Sequence, residues 1–152
     1  MNQRPEHRPA PPPSPPAAPE QEPRDGDGDA RVPRSATAAL GESLATAFLA
    51  ARGFVVHARD LRTTCGEIDL LVRRKRLWVA VEVKTRRRHE APERCVSPAQ
   101  HARLVRALSA LAGVLRPRPV ELRVDVVAVR LPHEGDPELR HFEGRPFAPP
   151  RG

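Results

Sequence analysis

Three charged side chains stand in two short segments that are otherwise rich in Ile, Leu and Val. Asp69 lies in the first segment, and Glu82 and Lys84 lie two positions apart in the second. Side chains alternate between the faces of a β-strand, so a tight hairpin of even length around Arg74-Lys75 puts all three on one face. An odd loop or a bulge would send Asp69 to the opposite face. Unpaired charge is costly to bury, so the pattern predicts a chemical role.

Two carboxylates and an ammonium suit metal-assisted phosphoryl chemistry. Mg²⁺ prefers hard oxygen ligands, so Asp69 and Glu82 are the predicted ligands, and Lys84 would orient a water or stabilise an oxyanion. Lys84 is one of only two lysines among 26 Lys plus Arg, which favours a specific need for its compact ammonium over chance retention. Glu67 shares the predicted face of Asp69. It is a third acidic ligand, a partner for Lys84, or a charge at the sheet edge.

A longer series of residues occurs in an order that is typical of a known family. The series is Gly41-Glu42, Gly53-Phe54, Arg59, Gly66-Glu67-Ile68-Asp69-Leu70, Val81-Glu82-Val83-Lys84-Thr85-Arg86 and Arg123-Val124-Asp125-Val126-Val127. Through it the chain, over roughly residues 38 to 130, resembles the YraN family of small bacterial proteins. Asp69 and Glu82-Val83-Lys84 look like the PD-(D/E)xK signature of restriction-endonuclease-like nucleases. The resemblance implies that fold core, a nuclease site, and a helix glutamate, Glu42, beside the metal.

The first predicted element is a helix. Ser35 or Thr37 caps a helix that runs to about Arg52. Its predicted apolar stripe contains Leu40, Leu44, Ala47, Phe48 and Ala51. Glu42 lies off this stripe, either as a solvated first-turn residue that favours the helix dipole or, by the resemblance, as a metal ligand.

A second helix begins at Ser97, with Pro98 at its first position and Gln100 closing a capping box. Pro117 ends this helical region. The family commonly has Lys at the position of Gln100, and related nucleases use a polar helix residue there near the site. The capping box explains Gln100 without catalysis, and this is the interpretation we favour from the sequence.

Extended segments complete the predicted fold. Residues 54–59 form a strand, 59–66 a polar loop, 120–130 a strand after the second helix, and 139–142 a short edge strand. Asp125 is expected to pair with an Arg on a neighbouring strand. The order predicts an α/β domain with a mixed sheet flanked by helices, in which the strand after the second helix is parallel to a neighbour.

Two basic clusters flank the predicted hairpin. Arg86, Arg87 and Arg88 follow Lys84 and are the candidates for binding a nucleic-acid backbone. The cluster at 73–76 forms the hairpin turn at the opposite end and is expected to be solvated. No Gly-rich phosphate loop, Ser-His-Asp arrangement or dinucleotide fingerprint occurs, so no small-molecule cofactor is expected.

Composition divides the chain into three parts. Residues 1–34 hold ten of the 19 prolines and are predicted to be a disordered tail. The net charge of +7 falls on the rest because charges in the tail nearly cancel, which suits a polyanionic partner. Residues 35–131 are the predicted nuclease-like domain, and 132–152 are expected to be loosely ordered. The absence of a long apolar run or signal peptide predicts a cytoplasmic protein with no membrane association, and Cys65 and Cys95 are expected to be free thiols.

The function expected from the sequence is binding of nucleic acid, first DNA, with a site that cleaves phosphodiester bonds using Mg²⁺ or Mn²⁺. Resemblance to junction-resolving nucleases makes branched or damaged DNA the expected substrate. The alternative is a non-catalytic nucleic-acid-binding or adaptor module on the same fold, with the acidic cluster in a structural role. The oligomeric state stays open, and a homodimer is one option.

Overall fold

A five-stranded sheet with one helix on each face makes up the folded part of the chain. The computed structural model describes residues 36–87 and 96–151. Its elements are α1 (Ala36–Ala50), β1 (Val55–Thr63), β2 (Gly66–Arg74), β3 (Leu77–Arg86), α2 (Pro98–Leu111), β4 (Glu121–Arg130) and β5 (Glu138–Phe142). The strands lie side by side in chain order. The β3–β4 pair is parallel and the other three pairs are antiparallel.

The predicted α/β class with a mixed, helix-flanked sheet is confirmed. The strand that follows α2 pairs in parallel with β3, as expected for a crossover through a helix. The observed order of one helix, three strands, a helix and a strand is the order expected from the sequence. The edge strand β5 is confirmed as well. Within the described ranges, neither helix has the length and apolar character needed to cross a lipid bilayer.

Two apolar clusters lie on opposite sides of the sheet. On the side covered by α1, here the α1 face, the cluster includes Ala45, Leu49, Leu70, Val72, Val79, Val81, Val127 and Val129. On the side covered by α2, the α2 face, it includes Leu71, Trp78, Ala80, Leu104, Leu108, Leu122 and Val124. Alternating residues of β3 and β4 thus enter opposite clusters, as their period of two predicts.

The buried stripe of α1 differs from the predicted one. Its buried residues are Gly41, Ala45 and Leu49, whereas Leu40 is 50% exposed. The cause is close approach of the helix backbone to β3, because a Cβ atom at Gly41 would lie 1.8 Å from Oγ1 of Thr85. Gly41 and Ala45 therefore face the sheet one helical turn apart where the approach is closest, and the larger Leu49 follows one turn later.

The segment predicted as a polar loop over 59–66 is mostly strand. β1 continues to Thr63, and Thr64-Cys65 connect it to β2 in a tight turn. Oγ1 of Thr63 accepts a hydrogen bond from the Cys65 N–H at 3.1 Å and donates one to the Gly66 carbonyl at 2.6 Å. Local hydrogen bonds of this kind let a polar sequence close a hairpin. Cys65 is a free thiol, as predicted.

The segment after β4, predicted to be loosely ordered, is attached to the sheet. Besides β5, Phe147 forms an antiparallel bridge with Leu122, and its ring packs against the α2-face cluster. The predicted tail of residues 1–34 and Cys95 lie outside the described residues.

Candidate active site

The β2–β3 hairpin opens at the end that carries the acidic residues. Its ladder runs from the turn to the pair Leu70–Val81 and stops there. Beyond that pair, Oδ2 of Asp69 accepts a hydrogen bond from the backbone N–H of Val83 at 2.8 Å. The carboxylate thus takes the place of a ladder partner, and it lies beside the backbone between Glu82 and Lys84.

The hairpin turn has the even length that this convergence requires. It consists of Lys75-Arg76, one residue later than predicted, with Lys75 at a φ of 56°. Counted from this turn, Asp69 falls opposite Glu82, and its hydrogen bond with the Val83 N–H holds the carboxylate beside the strand that carries Glu82 and Lys84. The strand period of two predicts that Ile68 shares a face with Leu70 and Val72, and this prediction is wrong. Ile68 is buried in the α2-face cluster, because β2 pairs with β3 only as far as Leu70.

Glu82 is the most enclosed of the candidate site residues. It is 6% exposed. Its Oε1 accepts hydrogen bonds from Nζ of Lys84 and from the amide Nε2 of Gln100, each at 2.6 Å. Within the described residues both hydrogen bonds go to Oε1, and Oε2 accepts none. The carboxylate is thus fixed in position while one of its oxygens remains available as a ligand.

Gln100 is the residue whose role the sequence interpretation missed. The predicted helix start is confirmed, because Oγ of the N-cap Ser97 accepts the Gln100 N–H at 3.1 Å. The amide side chain does not close the capping box, however, and donates to Glu82 instead. The signal for this was the polar residue that related nucleases place at the same helix position.

The donor set fits a hard divalent cation. Asp69 and Glu82 supply carboxylates from adjacent strands, and Mg²⁺ is commonly held by one or two carboxylates together with waters and phosphate oxygens. Across residues 36–87 and 96–151 no three His, Cys, Asp or Glu side chains group closely enough to hold a metal ion. Glu42 and Glu67 thus do not join the pair in such a group, and their assignment as ligands stays a prediction.

The basic residues after β3 are only partly described. Arg86 is exposed at the end of the strand, and the guanidinium of Arg87 donates to Oγ1 of Thr37 at 2.8 Å, at the start of α1. Arg88 lies outside the described residues. The turn cluster is at the other end of the hairpin, where Nε of Arg76 donates to the Arg118 carbonyl at 2.9 Å.

A second cluster of buried charge lies on the α1 face. Asp125 is 1% exposed, and its Oδ1 lies 2.8 Å from Nε of Arg123 and accepts the Gly144 N–H at 3.0 Å. Its Oδ2 contacts a terminal nitrogen of Arg123 at 2.8 Å and Nε2 of His141 at 2.7 Å. The Arg partner predicted on a neighbouring strand is wrong, since Arg123 precedes Asp125 by two residues on β4. The neighbouring strand β5 supplies His141.

Comparisons with known proteins find relatives that cover most of the folded part of the chain. The model of an uncharacterised protein family, UPF0102, matches residues 41–129. A UPF0102 protein of Syntrophotalea carbinolica is 37% identical over 107 residues, which cover 68% of this chain and 85% of the relative. One from Anaeromyxobacter dehalogenans is 39% identical over 129 residues, covering 80% and 93%. Among solved structures, SfsA of Pyrococcus furiosus in complex with Ca²⁺ matches with 14% identity and a TM-score of 0.34, over 69% of this chain and 61% of SfsA.

Proposed function

This chain belongs to the uncharacterised protein family UPF0102, which is the YraN family that its motifs predicted, and we propose that it binds nucleic acid and cleaves phosphodiester bonds. The observation that carries the proposal is the ion pair of Lys84 with Glu82 at 2.6 Å, beside the Asp69 carboxylate at the open end of a hairpin. A structural ion pair needs no second carboxylate next to it. A metal-dependent hydrolytic site does, because two carboxylates commonly hold the metal ion while the ammonium acts on the same phosphate.

The chain's own residues divide the work of the reaction. Asp69 and Glu82 would hold Mg²⁺ or Mn²⁺, which when bound lowers the pKa of a water and screens charge on the phosphoryl group. Lys84 lies 22% exposed next to them, where its ammonium can orient the attacking water or neutralise charge that develops on a phosphate oxygen. Gln100 fixes the carboxylate of Glu82 from the helix side.

DNA is the proposed substrate, with branched or damaged forms first. The net charge of +7 favours a polyanion, and Arg86, Arg87 and Arg88 follow the site residues directly in sequence. These arginines would contact the backbone and give affinity without reading the bases.

The test compares the only two lysines of the chain. The full-length protein is incubated with Mn²⁺ and labelled branched, nicked and single-stranded DNA, alongside Lys84→Gln and Lys75→Gln. We expect cleavage by the wild type and by Lys75→Gln, and a rate about 10²–10³-fold lower for Lys84→Gln, the usual effect of removing one preorganised donor. Lys75 is exposed in the turn at the far end of the hairpin, so its loss controls for charge.

Two outcomes would contradict the proposal. Equal cleavage by Lys84→Gln would assign the activity to another protein in the preparation. Binding of the DNA panel without any cleavage would identify the chain as a non-catalytic nucleic-acid-binding module.

A further inference from the structure

Arg103 on α2 is a half-buried cation with no hydrogen-bond partner among the residues that the structure describes. Its Nε is buried and makes no hydrogen bond with any residue that the structure describes. A guanidinium stays charged at every pH that a protein tolerates, and a buried donor left unsatisfied is costly. The other arginine whose Nε is similarly buried, Arg123, has that nitrogen 2.8 Å from the Asp125 carboxylate. Arg103 has no such carboxylate in the described part of the chain.

The path of the Arg103 side chain is fixed by the neighbouring strand. It crosses Gly66, where a Cβ atom would lie 2.8 Å from Cδ and 3.2 Å from Nε of Arg103. Gly66 has a φ of 123°, in a region where residues with side chains are rare. This glycine thus leaves the space through which the arginine stem passes, at the start of the strand that carries Asp69.

Arg103 is also tied to the candidate site through its own helix. It follows Gln100 by three residues, so the two side chains lie on one side of α2. Gln100 donates to Glu82, which places this side of the helix against the acidic residues. Glu82 is already paired with Lys84, and among the described residues no other carboxylate pairs with Arg103.

We propose that Arg103 binds a backbone phosphate of the nucleic-acid strand that enters the site formed by Asp69, Glu82 and Lys84. A planar guanidinium with several N–H donors matches the oxygens of a phosphodiester and holds them in a defined orientation. The inference rests on the proposed function for the location of the strand. It adds a phosphate contact from α2, whereas the arginines at 86–88 come from the end of β3.

The test measures binding without catalysis. Fluorescence anisotropy of a labelled DNA duplex in EDTA, at several salt concentrations, compares the full-length wild type with Arg103→Gln, Arg103→Lys and Arg118→Gln. We expect Arg103→Gln to weaken binding by about tenfold or more and to lower the slope of log Kd against log salt by about one phosphate contact. Arg103→Lys keeps the charge and most of the slope. Arg118 is an exposed arginine near the hairpin turn, so Arg118→Gln should leave the DNA affinity and the salt slope unchanged.

Each other outcome overturns the inference. A salt slope unchanged in Arg103→Gln, or a wild type that does not bind the duplex, removes the phosphate contact. Equal losses in Arg103→Gln and Arg103→Lys, with lowered unfolding free energies, would make the arginine a packing residue. The cleavage assay is separate, because a wild type that binds through Arg103 but cuts no DNA sustains this inference and defeats the proposed hydrolysis. If the wild type cleaves DNA and Arg103→Gln binds the duplex as tightly as the wild type, the proposed hydrolysis stands and this inference is wrong.

Discussion

The two clusters of buried charge lie on opposite faces of one sheet, and they use their carboxylates differently. Asp125 on the α1 face has both oxygens engaged, by Arg123, His141 and the Gly144 N–H. Glu82 on the α2 face has hydrogen bonds on one oxygen only. A carboxylate with every lone-pair direction occupied stabilises the fold and binds nothing further. One that is oriented but half free is suited to a ligand.

The partners of the two carboxylates differ in the same way. Arg123 is 7% exposed and directed onto Asp125. Lys84 keeps 22% of its side chain accessible to solvent, and Arg103 has no partner among the described residues. The comparison therefore separates a closed network, which we assign to stability, from an open one, which we assign to function. Four matched pairs of substitutions can break or sharpen this distinction.

The largest effect is expected from removing one charge in the closed network. Asp125→Asn should lower the free energy of unfolding by about 3–5 kcal/mol, because either orientation of the new amide directs an NH₂ group at a donor and leaves the buried Arg123 with only the exposed Glu143 as its anion. The matched change, Glu82→Gln, should cost about 1 kcal/mol or less, because its amide can turn the NH₂ group toward the side that accepts no bond. Urea unfolding of both variants measures the difference. Equal losses of unfolding free energy would show that the two carboxylates do not differ in this way.

The packing of α1 against β3 gives the next effect. Gly41→Ala introduces a Cβ atom 1.8 Å from Oγ1 of Thr85, so we expect α1 to be displaced at a cost of about 1–3 kcal/mol. Gly113 has no atom within 4 Å of the corresponding position, and Gly113→Ala should be neutral or slightly stabilising. Thermal unfolding of the two variants provides the measurement. A Gly41→Ala protein as stable as the wild type would show that α1 does not pack on β3 as described.

The open network is tested by calorimetric titration with Mn²⁺. We expect the wild type to bind about one ion, since two carboxylates make one site. Asp69→Asn should weaken binding by at least about tenfold, and Glu121→Gln, an exposed carboxylate at the start of β4, should leave it unchanged. If no heat is released even with a DNA duplex present, the metal-dependent reaction fails and the domain is a binding module.

The smallest effect is expected at the helix that covers the open network. Gln100→Ala removes one hydrogen bond to Glu82 and should cost about 1 kcal/mol, with a several-fold lower cleavage rate because Glu82 loses its fixed orientation. Ser97→Ala removes the N-cap of α2 and should cost a similar amount, with cleavage nearly unchanged. Parallel unfolding and cleavage assays separate the two. Equal cleavage rates in both variants would confine Gln100 to a structural role.

The parts of the fold and site that the sequence predicted are those set by local patterns. The period of two in β3 assigned Trp78 and Ala80 to one face and Val79 and Val81 to the other, as observed. The even turn length then brought Asp69 beside the backbone between Glu82 and Lys84. Both depend on residues close in sequence, where strand geometry leaves few choices.

The parts that were wrong or missed depend on contacts between distant elements. The stripe of α1 was assigned to its larger side chains, but Thr85 of β3 selects the side that carries Gly41. Gln100 satisfied a local capping pattern, yet its amide found a charged acceptor on another element. Arg103 looked like any basic residue on a helix. Only the folded chain shows that its Nε is buried and has no partner in the described ranges.

The parallel ladder between β3 and β4 gives the two networks different positions in the folding process. It pairs Leu77 with Glu121 and Arg86 with Arg130, so it forms only after the intervening chain, including α2, has been closed into a large loop. The β2–β3 hairpin needs no such closure, and short-range pairings of this kind form fastest. We therefore expect Asp69 and Glu82 to be aligned early and the Asp125 network to assemble late. Substitutions at Asp125 should then mainly accelerate unfolding and leave the folding rate little changed.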